Sequence, residues 1–158
     1  MTMIALLVSA LLQDQVDNPE FKAWAAFKPG SSVTYKMAGQ DGSQKVTLKS
    51  LGETEAVVET EMTYNGKTGK VAERKVPAKV NAADAPKNMK EGEEEIEAGG
   101  KKFKCRTREY ERKNPATGKT AVLKFWINEE IPGMAVQFQT STEGGVKFAM
   151  TASEWEKK

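Results

Sequence analysis

Histidine is absent from this 158-residue sequence, and cysteine occurs once, as Cys105. Without an imidazole there is no Ser-His or Cys-His nucleophile pair, and most zinc and iron sites are removed. One cysteine forms no intrachain disulfide and no thiolate cluster. Cys105 falls on the apolar side of its strand beside Phe103 and reads as a small buried hydrophobe. Carboxylates remain as candidates for acid–base work. Glu93-Glu94-Glu95 and Glu129-Glu130 are clustered, and a glycosidase-like pair needs two such groups across a cleft. Nothing in the spacing singles out one pair, and solvated glutamate is the ordinary expectation. Gly118-Lys119-Thr120 ends like a phosphate-binding loop, but Lys113 stands where that loop needs its first glycine. The triplet also lies between strands rather than before a helix, and Gly66-Lys67-Thr68 fails in the same way.

The other candidates concern binding. Lys102, Lys104, Arg106 and Arg108 alternate along one strand and form a basic stripe that could attract an anion. Glu93, Glu95 and Glu97 share one parity across the Gly99-Gly100 turn and are expected to pair with that stripe. No aromatic residue is expected on the basic face. Phe21, Trp24, Tyr35, Phe103, Phe125, Phe138 and Phe148 are instead expected together on one apolar face. Such a face is either a packed core or the lining of a pocket for an acyl chain. Trp24, Tyr35, Phe103, Phe125, Phe138 and Phe148 are therefore the candidate ligand-lining residues. No catalytic residue, cofactor or metal ligand is expected.

These side chains need elements to hold them. The chain has the length of one domain and can bury a core without staples. Lys plus Arg is 24 and Asp plus Glu is 22, a net charge of +2. That balance argues against nucleic-acid binding. The charge-free run Met3 to Leu12 matches a signal-peptide h-region, although no Lys or Arg precedes it. Ten residues make a helix too short to span a bilayer. The sequence thus predicts a signal peptide over 1–15, a single β domain over 16–158, and an exported, periplasmic or secreted protein without a stable transmembrane segment.

Asn18, Pro19 and Glu20 open a helix over Pro19–Phe27, which Lys28-Pro29-Gly30 ends. After Gly30 the apolar residues recur at period two. Val33, Tyr35 and Met37 are followed by Val46 and Leu48, then by Val58, Thr60, Met62 and Tyr64. Asn65-Gly66 and Gly99-Gly100 are hairpin turns. Residues 77–94 read as a long exposed connection. Connections this short exclude parallel crossovers. The expectation is a mainly β fold: a curved antiparallel meander of eight or nine strands, a half-barrel, covered by one short N-terminal helix.

Three stretches carry a resemblance: Phe27-Lys28-Pro29-Gly30-Ser31, the hairpin Ala98 to Cys105, and Lys124 to Gly133 with its Pro-Gly turn. They resemble small exported bacterial proteins of uncharacterised function and, more remotely, the LolA/LolB-like half-barrel of lipoprotein carriers. Two helices usually plug those carriers, and this sequence offers one. The resemblance implies a curved sheet with helix cover and a lipid or acyl-chain ligand. The leading expectation is a non-catalytic exported protein that binds a hydrophobic ligand on its concave face. An interaction module of the cell envelope, partnered by another envelope protein, and a carboxylate-dependent hydrolase are the alternatives.

Overall fold

The computed structural model describes residues 14–158, save Pro115, Gly144 and Val146. Met3 to Leu12, and with it most of the expected signal peptide, lies outside the described residues. The chain runs through β1 (Gln15–Asp17), α1 (Pro19–Ala25), β2 (Ser32–Met37), β3 (Gly42–Leu51), β4 (Glu55–Tyr64) and β5 (Lys67–Pro77). It continues through β6 (Lys79–Asn81), a 3-10 turn at 82–84, β7 (Lys87–Ala98) and β8 (Lys101–Lys113). It ends with β9 (Thr120–Ile127), β10 (Ala135–Thr142) and β11 (Lys147–Glu156). No helix among the described residues is long and apolar enough to cross a membrane.

Nine strands form one curved antiparallel sheet in the order β5-β4-β3-β2-β11-β10-β9-β8-β7. It consists of two meanders, joined where β2 pairs with β11. The expected hairpins are present. Asn65 and Gly66 take φ of 48° and 73°, and Gly99 and Gly100 take 56° and 76°. Two successive positive φ values match the right-handed twist of the flanking strands. The sheet stays open, with β5 and β7 as its two edges.

Residues 77–94 are more ordered than the sequence suggests. β6 pairs with β1 in a small ribbon, and β7 begins at Lys87. Local composition hides this because both strands depend on distant partners. Val80 faces Val16, and Lys90 faces Glu109.

The helix starts as expected and ends two residues early. The Asn18 side chain accepts from the Glu20 amide at 3.0 Å, and Pro19 fills the first turn. The Phe27 amide donates to the Trp24 carbonyl and closes the last turn. Asn18 also ties the helix to the sheet, donating from its side chain to the Pro77 carbonyl at 2.8 Å. Glu20 receives both terminal nitrogens of Arg74, on β5, at 3.1 and 2.5 Å.

Arg74 faces Val58 across the β4–β5 ladder, so α1 lies on the face that carries Val58. That face buries Val33, Val46, Leu48, Ala56, Val58 and Val76. Each fully buried aliphatic side chain contributes about 1.5–3 kcal/mol. Trp24 enters this core and rests on Gly133, whose φ is 74°. A Cβ on Gly133 would lie 2.8 Å from the indole. The Ile131-Pro132-Gly133 turn and α1 thus close one end of the helix face.

Candidate functional site: an aromatic band on the helix face

The other end of the helix face is built by four strands. Asn114 shapes the β8–β9 turn: its side chain accepts from the Ala116 amide at 2.9 Å, and its amide donates to the Lys119 carbonyl. Counting back from that turn sets Tyr110 opposite Leu123 and Arg108 opposite Phe125. Phe125 then faces Phe138, Phe138 faces Met150, and Met150 faces Met37. One step along, Leu123 faces Thr140, which faces Phe148. Directly opposed residues share a face. Two apolar rows therefore cross the sheet side by side.

The rings form a chain. Tyr110 stacks on Phe125 with centroids 5.8 Å apart, and Phe125 stacks on Phe138 at 6.1 Å. Phe138 meets Tyr35 edge-on at 5.7 Å and Phe148 at 6.2 Å. Exposure rises outward along this chain. Tyr35 is buried, Phe125, Phe138 and Tyr110 are half-buried, and Phe148 is 37% exposed. The band also runs across β2, β3 and β4. Met62 faces Gln44, and Tyr64 faces Gly42. A Cβ on Gly42 would sit 3.0 Å from both the Met37 sulfur and the Tyr64 ring, so glycine lets those two side chains close over it.

Four of the six expected lining residues come together here: Tyr35, Phe125, Phe138 and Phe148. Trp24 does not join them, because it fills the core against Gly133. The placement of Phe103 is a correction. Thr107 faces Trp126 while Arg108 faces Phe125. Phe103, Cys105 and Thr107 therefore share a face with Trp126, opposite to Phe125. Phe103 packs edge-on against Trp155 at 5.5 Å. The strands at this end bury apolar side chains on both faces, so period two alone misassigns them. Tyr110, Leu123, Met37, Met62 and Tyr64 belong to the band and were not anticipated as lining residues. The turn at Asn114 was the available signal for Tyr110 and Leu123, since it fixes the hairpin register.

The basic stripe pairs as expected in one respect. Glu93, Glu95 and Glu97 stand opposite Arg106, Lys104 and Lys102. Arg108 meets Glu91 at 3.4 Å. The expectation that aromatics avoid this face is overturned. Arg106, Arg108, Tyr110 and Arg112 alternate on one face of β8, and that face carries Phe125 and Leu123.

The charge of Glu20, on α1, is felt at two of the rings. Burial first, and then the charge of Glu20, raise the Tyr35 phenol above its ordinary value. The Tyr35 hydroxyl donates to the Ala135 carbonyl at 2.9 Å. Burial also raises Tyr110; the charge of Arg112 opposes that rise and Glu20 adds to it. Carboxylates elsewhere are tuned the other way. Glu94 accepts from Lys124 and from the Trp126 indole, each at 2.6 Å, and both hold it below its usual range. Lys101 does the same for Glu130. The Cys105 thiol is buried and raised by desolvation.

The band is an open surface. Two shallow depressions, of about 480 and 270 Å³, lie elsewhere. The first is between the β7–β8 tip and β11, lined by Gly99, Gly100 and Ser153 among others. The second is at Glu91, Glu93 and Arg106 on the β7–β8 edge. No group of His, Cys, Asp or Glu suited to hold a metal ion occurs among the described residues.

No protein-family model and no curated protein matches the chain. Among solved structures, the chain is similar to the hypothetical protein CT021 from Chlamydia trachomatis, with a TM-score of 0.50. The two are 7% identical, over 91% of this chain and 94% of that one. At such identity the likeness concerns the fold alone.

Proposed function

We propose that this is an exported, non-catalytic binding protein that seats an apolar chain on the helix face. One observation carries the reading: the continuous, half-exposed band from Tyr110 through Phe125 and Phe138 to Phe148. Contiguous apolar surface is costly in water and marks sites of contact. Stacked rings beside the half-buried Met62 suit a flexible hydrocarbon, because methionine adapts its shape. The charge-free run near the chain start supports export. The displaced carboxylates Asp17, Glu94, Glu130 and Glu156 are all displaced downward, which favours no general acid.

The test is binding of Nile red, a neutral dye that brightens in apolar surroundings. Wild type is expected to bind it saturably, and Phe148→Ser, at the exposed rim of the band, to weaken binding severalfold while the fold is kept by circular dichroism. Equal dye binding by that variant sinks the reading. Native mass spectrometry of protein purified without detergent should also show an added small mass.

A second reading is favoured by the two free edges. β5 and β7 are 11 and 12 residues long and leave their outer backbone groups unpaired by the sheet. Long open edges accept strands from other chains, so an envelope interaction module would dock there. Protection of edge amides from hydrogen exchange by a bound partner distinguishes it from occupancy of the band.

A further inference from the structure

We infer that β5 is a self-association edge, where two copies of this chain pair their β5 strands antiparallel about a two-fold axis at Arg74. This goes beyond the apolar-chain reading and does not depend on it. The backbone of the edge sets the geometry. The Ala78 amide donates to the Thr54 carbonyl at 2.8 Å. Alternation then turns Val76, Arg74 and Ala72 toward β4 and leaves the N–H and C=O groups of Lys75, Glu73 and Val71 facing outward. Pro77 has no N–H, and its carbonyl accepts from the Asn18 side chain. The open stretch thus runs from Val71 to Lys75, clear of the register slip between Glu61 and Thr63.

The side chains of this stretch complement themselves. A two-fold axis normal to the sheet keeps both helix faces on one side. Centred on Arg74, it sets Glu73 of each copy against Lys75 of the other. Val71 meets Pro77 on that same face, and Ala72 meets Val76 on the other face. Both Glu73–Lys75 pairs fall at outward-facing positions, where opposed residues exchange N–H and C=O bonds. Arg74 meets its own copy, but each guanidinium is already neutralised by Glu20. Centring the axis on Glu73 instead would oppose Glu73 to itself, and centring it on Ala72 would oppose Glu73 to Val71.

The charges bordering the edge favour that register. Within the chain Glu73 stands opposite Glu59, and it has no ion-pair partner among the described residues. Glu59 is engaged by Lys49 at 3.3 Å, and Glu61 stands opposite Lys45. Lys75 lies 3.1 Å from Glu55 with its side chain 73% exposed, so its ammonium can also meet a second carboxylate. Opposed like charges destabilise a sheet and opposed unlike charges stabilise it. Lys75 of a second copy therefore supplies the cation that Glu73 lacks. The β7 edge offers no such match. Glu91, Glu93, Glu95 and Glu97 alternate there, so a two-fold pairing centred on them sets glutamate against glutamate. The β7 ladder also slips between Lys87 and Lys90, where Asn88 takes a φ of 54°. Bulges and like charges both blunt an edge.

The test is sedimentation velocity of the full chain over a range of concentrations. Wild type should dimerise reversibly, and the amides of Glu73 and Lys75 should gain protection from hydrogen exchange as it does. Glu73→Lys sets lysine against lysine, and Lys75→Glu sets glutamate against glutamate. Each alone turns two attractive pairs into two repulsive ones and should weaken the dimer about tenfold. Both positions are exposed, so the fold should be kept, which circular dichroism checks. An equimolar mixture of the two single variants should recover the dimer, because every opposed pair is then a lysine against a glutamate. The double exchange, Glu73→Lys with Lys75→Glu, should recover it too. A monomer at every concentration, a dimer indifferent to both single variants, or no recovery on mixing overturns the assignment.

Discussion

Gly133 and Gly66 offer a controlled comparison. Their φ angles are 74° and 73°, so alanine meets the same backbone penalty at each. That penalty is about 1–2 kcal/mol. Their surroundings differ. A Cβ at Gly66 would have nothing within 4 Å. A Cβ at Gly133 would fall 2.8, 2.9 and 3.3 Å from three atoms of the Trp24 indole. Trp24 is 4% exposed and cannot swing into solvent without uncovering the core under α1. Forcing extra volume into such a site costs about 1–3 kcal/mol. Gly66→Ala should thus lose about 1–2 kcal/mol and Gly133→Ala about 2–5 kcal/mol. Urea unfolding followed by tryptophan fluorescence measures both. With a slope of about 2 kcal/mol per molar, the midpoints should separate by roughly 1 M. Trp24→Phe should narrow that gap, because a smaller ring leaves room for the methyl group. Equal midpoints for the two alanine variants would refute the seating of α1 on the Ile131-Pro132-Gly133 turn.

Three further outcomes follow from the same contacts. Tyr35→Phe loses the hydrogen bond to the Ala135 carbonyl and should cost about 1 kcal/mol. Because folding raises the Tyr35 phenol, its contribution is present below the unfolded value near pH 10 and is lost as pH rises beyond it. Alkaline melts should therefore fall less steeply for the Phe variant. Asp17 is lowered to about 2 from 3.8 by Lys22 and Lys79, so its contribution is present above pH 4 and fades towards pH 2. Asp17→Asn should flatten acid unfolding in that window, and an unchanged profile would remove the ion pairs from the account. Cys105 is buried and its thiol raised. It should resist Ellman's reagent in the native state and react once per chain in denaturant, whereas fast native labelling would contradict its burial.

Much of this fold is legible locally. The period-two runs at Val33 to Met37 and Val46 to Leu48, with the positive φ of Asn65 and Gly66, are written in adjacent residues. So is the matching of Glu93, Glu95 and Glu97 to Arg106, Lys104 and Lys102, since one turn at Gly99-Gly100 fixes all three. The β2–β11 joint is not legible, because Met37 and Met150 are distant in sequence and no local signal pairs them. Register shifts add to the difficulty. The ladders slip between Ala135 and Gln137 and again between Ala152 and Glu154. A slip of one residue exchanges faces, so alternation cannot be followed through it. The candidate site suffered most from the β8–β9 parity. Phe103 and Phe125 look equivalent as apolar residues in neighbouring strands, yet Thr107 opposite Trp126 sets them on different faces.

The aromatic residues grade from packed core to exposed surface. Tyr35 at 5% exposure is core in the ordinary sense, tied by its hydroxyl to Ala135. Phe138 touches Tyr35 on one side and the more exposed Phe148 on the other. The same ring is thus packing for its inner neighbour and platform for its outer one. Rigidity follows from this arrangement: the buried end fixes the ring orientations, so the proposed ligand would find little side-chain entropy left to lose at the exposed end. Removing a ring from the middle must therefore disturb folding and binding together. Only substitution at the rim, at Phe148, separates the two, because Phe148 adds contact surface while its own burial contributes least.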